Sequence, residues 1–203
     1  MILYLLSDTF SEIFLVGIAL LTGLPAPILA GQILWVNLIE HGLMGVSLAF
    51  EPQKDIKNQP NAKDAPLIDN QLKISITIIA GVTNFGLLGL FYYLLQTGMD
   101  IALIRTVIFI GLGMDSLFYV FSCKSLSKNI WQTDIFDNKF LNISVFISII
   151  VLFASIQLPV LSRLLKTTSL PLWAFAVLII FALTKVAIIE AIKFSFKPAI
   201  NRL

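Results

Sequence analysis

The chain has 203 residues, 58% of them hydrophobic and 13% charged, with a formal net charge of +2. Soluble domains carry about 25% charged residues, so this composition excludes an ordinary water-soluble globule, and so small and scattered a charge excludes an electrostatic nucleic-acid partner. Cys123 is the only cysteine, which excludes an internal disulfide and a four-cysteine metal site.

The charges collect in a few polar connections and leave apolar runs of about 20 residues, the length that spans a bilayer. Backbone groups in lipid must be satisfied within a segment, and these runs are too long for barrel strands, so the expected fold is all-α, a polytopic membrane bundle. Six spans are predicted within a single transmembrane domain, 1–203. The first covers about residues 2–22 and the second about 28–50, joined by a Gly23-Leu24-Pro25-Ala26-Pro27 turn. No basic region precedes the first run and no small-residue cleavage site follows it, so no signal peptide is expected. Residues 51–72, with Pro52, Pro60 and Pro66, form a polar irregular connection. The third span, about 73–96, carries Gly81, Gly86 and Gly89, residues that permit close helix contact. The fourth covers about 101–122, and a polar stretch from Cys123 to Lys139 follows, with Trp131 as an interfacial residue. The fifth covers about 140–158, with Pro159 beginning its exit, and the sixth about 171–191.

Lysine and arginine placement sets orientation. Lys54, Lys57, Lys63, Lys73, Lys124, Lys128, Lys139, Lys193, Lys197 and Arg202 fall on one side, ten in all, against Arg105, Arg163 and Lys166 on the other. The expected protein is therefore a multi-pass protein of the plasma membrane with both termini cytoplasmic.

Ionisable groups inside apolar spans are costly and need a reason. Asp8 and Glu12 stand four residues apart on the first span, and Asn37, Glu40 and His41 stand at i, i+3 and i+4 on the second, so each set shares a helix face. Carboxylates and an amide facing one gap are the hard oxygen ligands that Ca²⁺ or Mg²⁺ prefers, and several carboxylates could equally relay protons. His41 would add a nitrogen ligand or a group titrating near neutral pH, or act only as an interhelical hydrogen-bonding group. Asp115, accompanied by Ser116, Tyr119 and Ser122, is a further candidate ligand. Asn84 reads as a packing contact, and Lys185 and Glu190 as groups that snorkel or pair across one turn.

Several stretches carry a family resemblance. They are Tyr4-Leu5-Leu6-Ser7-Asp8-Thr9-Phe10-Ser11-Glu12, Leu24-Pro25, Gln32-Ile33-Leu34-Trp35-Val36-Asn37-Leu38, Ala49-Phe50-Glu51-Pro52, Arg105-Thr106 with residues 118–126, and Asn138-Lys139-Phe140-Leu141. The chain resembles, over essentially its whole length, the C-terminal transmembrane region of type II P-type cation-transporting ATPases, the group that includes calcium and sodium/potassium pumps. The resemblance implies that the six spans are that family's fifth to tenth helices. It also implies that Glu12 and Asn37 match liganding positions of the fifth and sixth helices. Thr9 stands where calcium pumps place an asparagine, Glu40 where they place a threonine, and His41 where they place an aspartate. Ser116 matches the acidic position of the eighth helix, with Asp115 beside it, and Met44 replaces a proline.

The 203 residues contain no Asp-Lys-Thr-Gly phosphorylation sequence. The resemblance therefore implies that the phosphorylation, nucleotide and actuator domains and the fourth helix are missing here, and that ATP and Mg²⁺ act only in those domains. The expected function is the membrane module of an ATP-driven cation pump, supplying part of the intramembrane site for a transported cation, Ca²⁺ among the candidates. Its expected partners are the lipid bilayer and the missing N-terminal part of a pump, as a separate chain or lost. The rival expectation is a non-enzymatic six-span protein, acting as a passive cation pathway, an accessory subunit or a decayed remnant.

Overall fold

The computed structural model describes residues 1–50, 70–124 and 129–200. Most of the polar connection expected at 51–72 lies outside the described residues. Within them every regular element is a helix.

Helix α1 (Ile2–Leu21) buries Leu3, Tyr4, Ser7, Asp8, Ser11, Glu12, Leu15 and Ala19. This three-and-four spacing lays one stripe along the helix, and the stripe includes both carboxylates. The helix stops where Gly23 adopts φ +72. Leu24 N–H donates to Ala19 O at 2.9 Å and Gly23 N–H to Leu20 O at 3.1 Å, the paired closing bonds of a Schellman motif that favours glycine at this position.

The second expected span is one continuous helical path built from three pieces. Helix α2 (Ala30–Asn37) passes into a π-helical stretch (Leu38–Gly45) and then helix α3 (Val46–Ala49). The π-stretch widens the turn to i→i+5 bonding and rotates the residues after Asn37 away from the face an α-helix would give them. Because of this break, the described residues contain five long apolar α-helices rather than six: α1, 76–96 of α4 (Asn70–Gln96), α5 (Ile101–Tyr119), α6 (Lys139–Gln157) and 172–194 of α8 (Leu172–Ile200). Their outward faces carry Phe10, Phe14, Phe85, Phe146 and Leu183, all exposed, a surface suited to lipid rather than water. The chain is an integral, multi-pass membrane protein.

Helix α5 is the axis. An 18-residue stretch of it is 72% buried, against 28–44% for the other four. Small residues allow that enclosure: a Cβ on Gly111 would sit 3.0 Å from Leu178 and 3.1 Å from Leu87, and one on Gly113 would sit 2.8 Å from Leu152. Helices α4, α6 and α8 thus close on α5 where it lacks side chains. Of the glycines expected to mediate contact in the third span, Gly86 does so, against the Phe181 ring of α8, whereas Gly81 and Gly89 have nothing within 4 Å. Helix α1 packs chiefly on α4, and α4 reaches α5 and α8.

Two further details position the bundle. Helix α6 ends at Gln157, and Pro159 begins the exit from it as the first residue of helix α7 (Pro159–Leu165), a place where a missing N–H costs nothing. Gln32 Nε2 donates to Leu165 O at 3.0 Å, joining α2 to α7. At the opposite end Asn138 caps α6 by accepting from Leu141 N–H at 2.9 Å and donates to Ser47 O at 3.0 Å, while the Ser47 and Ser144 hydroxyls meet at 2.5 Å.

Candidate functional site

Four of the six candidate ligands have described side chains: Asp8, Glu12, Asn37 and Asp115. The side chains of Glu40 and His41 lie outside the described residues, although their backbone runs through the π-helical stretch. The four described groups do not converge; they divide into two clusters.

The first cluster joins the two arms of the hairpin. Asn37 Nδ2, at the end of α2, donates to Glu12 Oε2 of α1 at 3.0 Å. Asn37 is the last α-helical residue before the π-stretch, so its amide sits at the point where the helix changes register. Glu12 is 7% exposed, and neither its Oε1 nor Asn37 Oδ1 has a hydrogen-bond partner. Among the described residues no lysine or arginine pairs with this carboxylate. A carboxylate oxygen and an amide oxygen left open in a buried spot lack a donor or a cation.

The second cluster is built on α5. Asp8, one turn before Glu12, accepts a hydrogen bond from Tyr119 at 2.5 Å, and the same hydroxyl lies 3.0 Å from Tyr4 O. The Tyr4 and Tyr119 rings meet at a tilt of 38° with centroids 5.2 Å apart. Above the Tyr119 ring, 3.7 Å from its centre, sits Lys185 Nζ of α8. That ammonium forms a buried ion pair with Asp115 Oδ2, which also accepts from Thr83 of α4 at 3.2 Å. Lys185 is 1% exposed.

Lys185 therefore does not snorkel. It lies about 14 Å from the nearer end of its apolar stretch at 1.5 Å per residue, beyond the reach of its own stem, and it finds a carboxylate on a neighbouring helix instead. That central position was the available signal, and its partner could not be read from the sequence. Glu190 does pair locally, with Lys193 at 2.9 Å, and it also accepts from Asn129 Nδ2 and Ile130 N–H at 2.9 Å each. Asn84 donates to Ala80 O of its own helix at 2.7 Å.

The hydroxyls near the carboxylates are engaged by their own helices. Ser7, Ser11 and Thr9 donate to Leu3 O, Ser7 O and Leu5 O, and Ser116 to Leu112 O. Tyr4 donates to the Met44 sulfur at 3.7 Å, tying the second cluster to the π-stretch. Among the described residues no three His, Cys, Asp or Glu side chains gather closely enough to hold a metal ion by themselves. Just beyond the end of α5, burial first, and then the Asp8 charge, push the Cys123 thiol up to about 12, so this cysteine is a packed thiol rather than a nucleophile.

Comparison with known proteins adds the following. The family model for the C-terminus of cation-transporting ATPases matches residues 25–195. "Probable cation-transporting ATPase F" of Mycobacterium bovis is 28% identical over 168 residues, covering 82% of this chain and 19% of the relative. "Calcium-transporting ATPase 1" of Bacillus cereus is 30% identical over 213 residues, covering 97% of this chain and 24% of the relative. "Calcium-transporting ATPase type 2C member 2" of Mus musculus is 28% identical, covering 81% of this chain and 18% of the relative. The chain thus spans about a fifth of the length of the curated relatives it matches.

Proposed function

The chain belongs to the cation-transporting ATPase C-terminal family, and on that premise we propose that it serves as the membrane module of an ATP-driven cation pump, contributing Glu12 and Asn37 to the intramembrane site of the transported ion. One observation carries this reading: a buried carboxylate and a half-buried amide, bonded to each other across α1 and α2, each keep one buried oxygen without a partner. Two open oxygens in one dry spot suit a hard cation. The calcium-transporting relatives favour Ca²⁺ as the first ion to test.

Two oxygens are too few for Ca²⁺, which takes six to eight. Glu40 and His41 are assigned to the same site, on the π-stretch that follows Asn37. The remaining ligands, and the domains that use ATP and Mg²⁺, are assigned to parts of the pump not present in this sequence. Asn37 stands where α-helical bonding gives way to π-bonding, so a small rewinding of that stretch changes the Asn37–Glu12 separation. This gives the site a route to strong and weak binding states, and the ATP-using domains of a pump would drive the exchange. The lysine and arginine asymmetry supports cytoplasmic termini for the module, which reads as one transmembrane domain.

The test is a chimera in which this chain replaces the matching region of the Bacillus cereus relative, assayed for Ca²⁺-dependent ATP hydrolysis and for ⁴⁵Ca²⁺ uptake into inverted vesicles. Glu12→Gln and Asn37→Ala are each expected to weaken the apparent Ca²⁺ affinity roughly ten- to a hundredfold, the equivalent of losing a contact to a charged group. Unaltered cation dependence in both variants would remove Glu12 and Asn37 from the site.

A further inference from the structure

The second cluster has the parts of a cation site, and its cation is part of the chain. Lys185 Nζ sits 3.7 Å above the Tyr119 ring, bonds to Asp115 Oδ2, and is sealed from solvent at 1% exposure. Thr83 completes the wall at 3.2 Å from the same carboxylate oxygen. Asp115, also 1% exposed, has a second oxygen, Oδ1, with no partner. A carboxylate with a spare acceptor, an aromatic face and a hydroxyl are what a small ammonium ion needs, since it donates to oxygen and is attracted to the negative face of a ring. No part of this constellation needs the lysine stem; the stem only delivers the charge.

We propose that the chamber formed by Asp115, Thr83 and Tyr119 is a site for a small monovalent ammonium ion that Lys185 occupies permanently, as a tethered cation. The bond between Tyr119 and Asp8 at 2.5 Å orients the ring, so that its face is turned to Nζ. Three helices contribute to the chamber besides α8: Thr83 comes from α4, Asp115 and Tyr119 from α5, and the orienting Asp8 from α1. With Lys185 in place, Asp115 is neutralised and closed to any ion from solution. Resting on the pump reading, this leaves Glu12 and Asn37 as the cluster that exchanges ions and keeps Asp115 out of the transport count. The ammonium site itself stands or falls without that reading.

The experiment is chemical rescue of the full chain in lipid nanodiscs. Lys185→Ala is solubilised and purified throughout in ammonium chloride and then exchanged into ammonium, methylammonium or choline chloride at equal ionic strength, and thermal unfolding is followed by tryptophan fluorescence. The expected result is a midpoint well below wild type in choline that recovers most of the loss in ammonium and methylammonium. Choline, a quaternary ammonium, has no N–H to donate to Asp115. Wild type should unfold at the same temperature in all three salts. Asp115→Asn/Lys185→Met, which lacks both charges, should fold and show no preference for ammonium.

The proposal is overturned if Lys185→Ala unfolds at one temperature in all three salts, or if it yields no folded protein even in ammonium while the double variant folds. It is equally overturned if ammonium raises the double variant as much as the single one. Glu12→Gln combined with Lys185→Ala separates the two readings. Loss of ⁴⁵Ca²⁺ dependence belongs to the Glu12 cluster, and recovery in ammonium belongs to the Asp115 cluster.

Discussion

Glu12 and Asp115 are both carboxylates buried in the same membrane bundle, and they are satisfied in opposite ways. Asp115 has a lysine on one oxygen, a threonine beside it and an aromatic ring under the lysine. Glu12 has one amide and an open oxygen. A buried charge persists only where an opposite charge or several donors accompany it. The Asp115 cluster therefore carries its counter-charge within the chain, whereas among the described residues the Glu12 cluster holds none, and on the proposed function a cation would supply it. On the proposed function, incompleteness at one carboxylate and closure at the other separate a binding site from a structural bond.

The largest effect should come from opening the closed cluster. Lys185→Met leaves Asp115 buried with only Thr83, and removing one partner of a buried ion pair costs about 3–5 kcal/mol. Unfolding of the purified chain in nanodiscs measures it. Adding Asp115→Asn to that variant should recover most of the loss, because the uncompensated charge disappears with it. If the double variant is no more stable than the single one, the charge of Asp115 is not what Lys185 answers.

Tyr119→Phe comes next. The ring under Lys185 survives, but Asp8 loses the hydroxyl that bonds it at 2.5 Å. Bonds to charged groups contribute about 1.5–3 kcal/mol, and the loss should appear in the same unfolding measurement. An unchanged midpoint would mean that Asp8 takes its stabilisation from elsewhere and that the two tyrosines are joined only by their tilted ring contact.

The sign reverses at Glu12. With no cation added, Glu12→Gln should stabilise the chain by roughly 1 kcal/mol, since a carboxylate without a counter-charge is costlier to bury than an amide. Added Ca²⁺ should raise the wild-type midpoint and leave the variant where it is, by mass action on the folded state. A destabilised Glu12→Gln would place Glu12 with Asp115, as a structural group, and erase the contrast between the clusters.

Half of this contrast was legible in the sequence. Asp8 and Glu12 at i, i+4 on a helix, followed by a glycine-proline turn and Asn37, locate the hairpin and the Glu12–Asn37 bond, because short-range periodicity and a tight turn decide which faces meet. The α5–α8 pairing was not legible: Asp115 and Lys185 are joined by a side-chain bond across 70 positions, and no local pattern says which helices become neighbours. The π-stretch escaped for a related reason, since Gly42 and Gly45 within Leu38–Gly45 weaken α-helical preference but do not specify i→i+5 over i→i+4 bonding. Pro159 marks the exit from the fifth span as expected, but that it also starts a helix of its own was not legible, because a proline excludes helix before it as readily as it starts one after it. Six expected spans became five continuous α-helices and one composite path for that first reason alone.

The smallest effect at neutral pH, and the one that reads the closed cluster from outside, concerns Cys123. Its thiol is held at about 12 against an unfolded value of 9.0, by burial first and by the charge of Asp8 second. An acid whose folded value is raised keeps its proton longer when folded, so the unfolded state binds fewer protons between pH 9 and 12. Stability from this group is full below pH 9 and is lost as pH rises through that window. Alkylation of Cys123 should consequently be far slower than in the unfolded chain at pH 9, and should gain speed toward pH 12. Asp8→Asn removes the secondary cause and leaves the burial, so at a fixed pH it should accelerate alkylation only modestly. Equal rates in the variant and wild type would mean that Cys123 does not sense a charge at Asp8, and that Tyr119 donates its short hydrogen bond to a neutral acid. That outcome would leave Lys185 balancing one carboxylate rather than standing in a field of two.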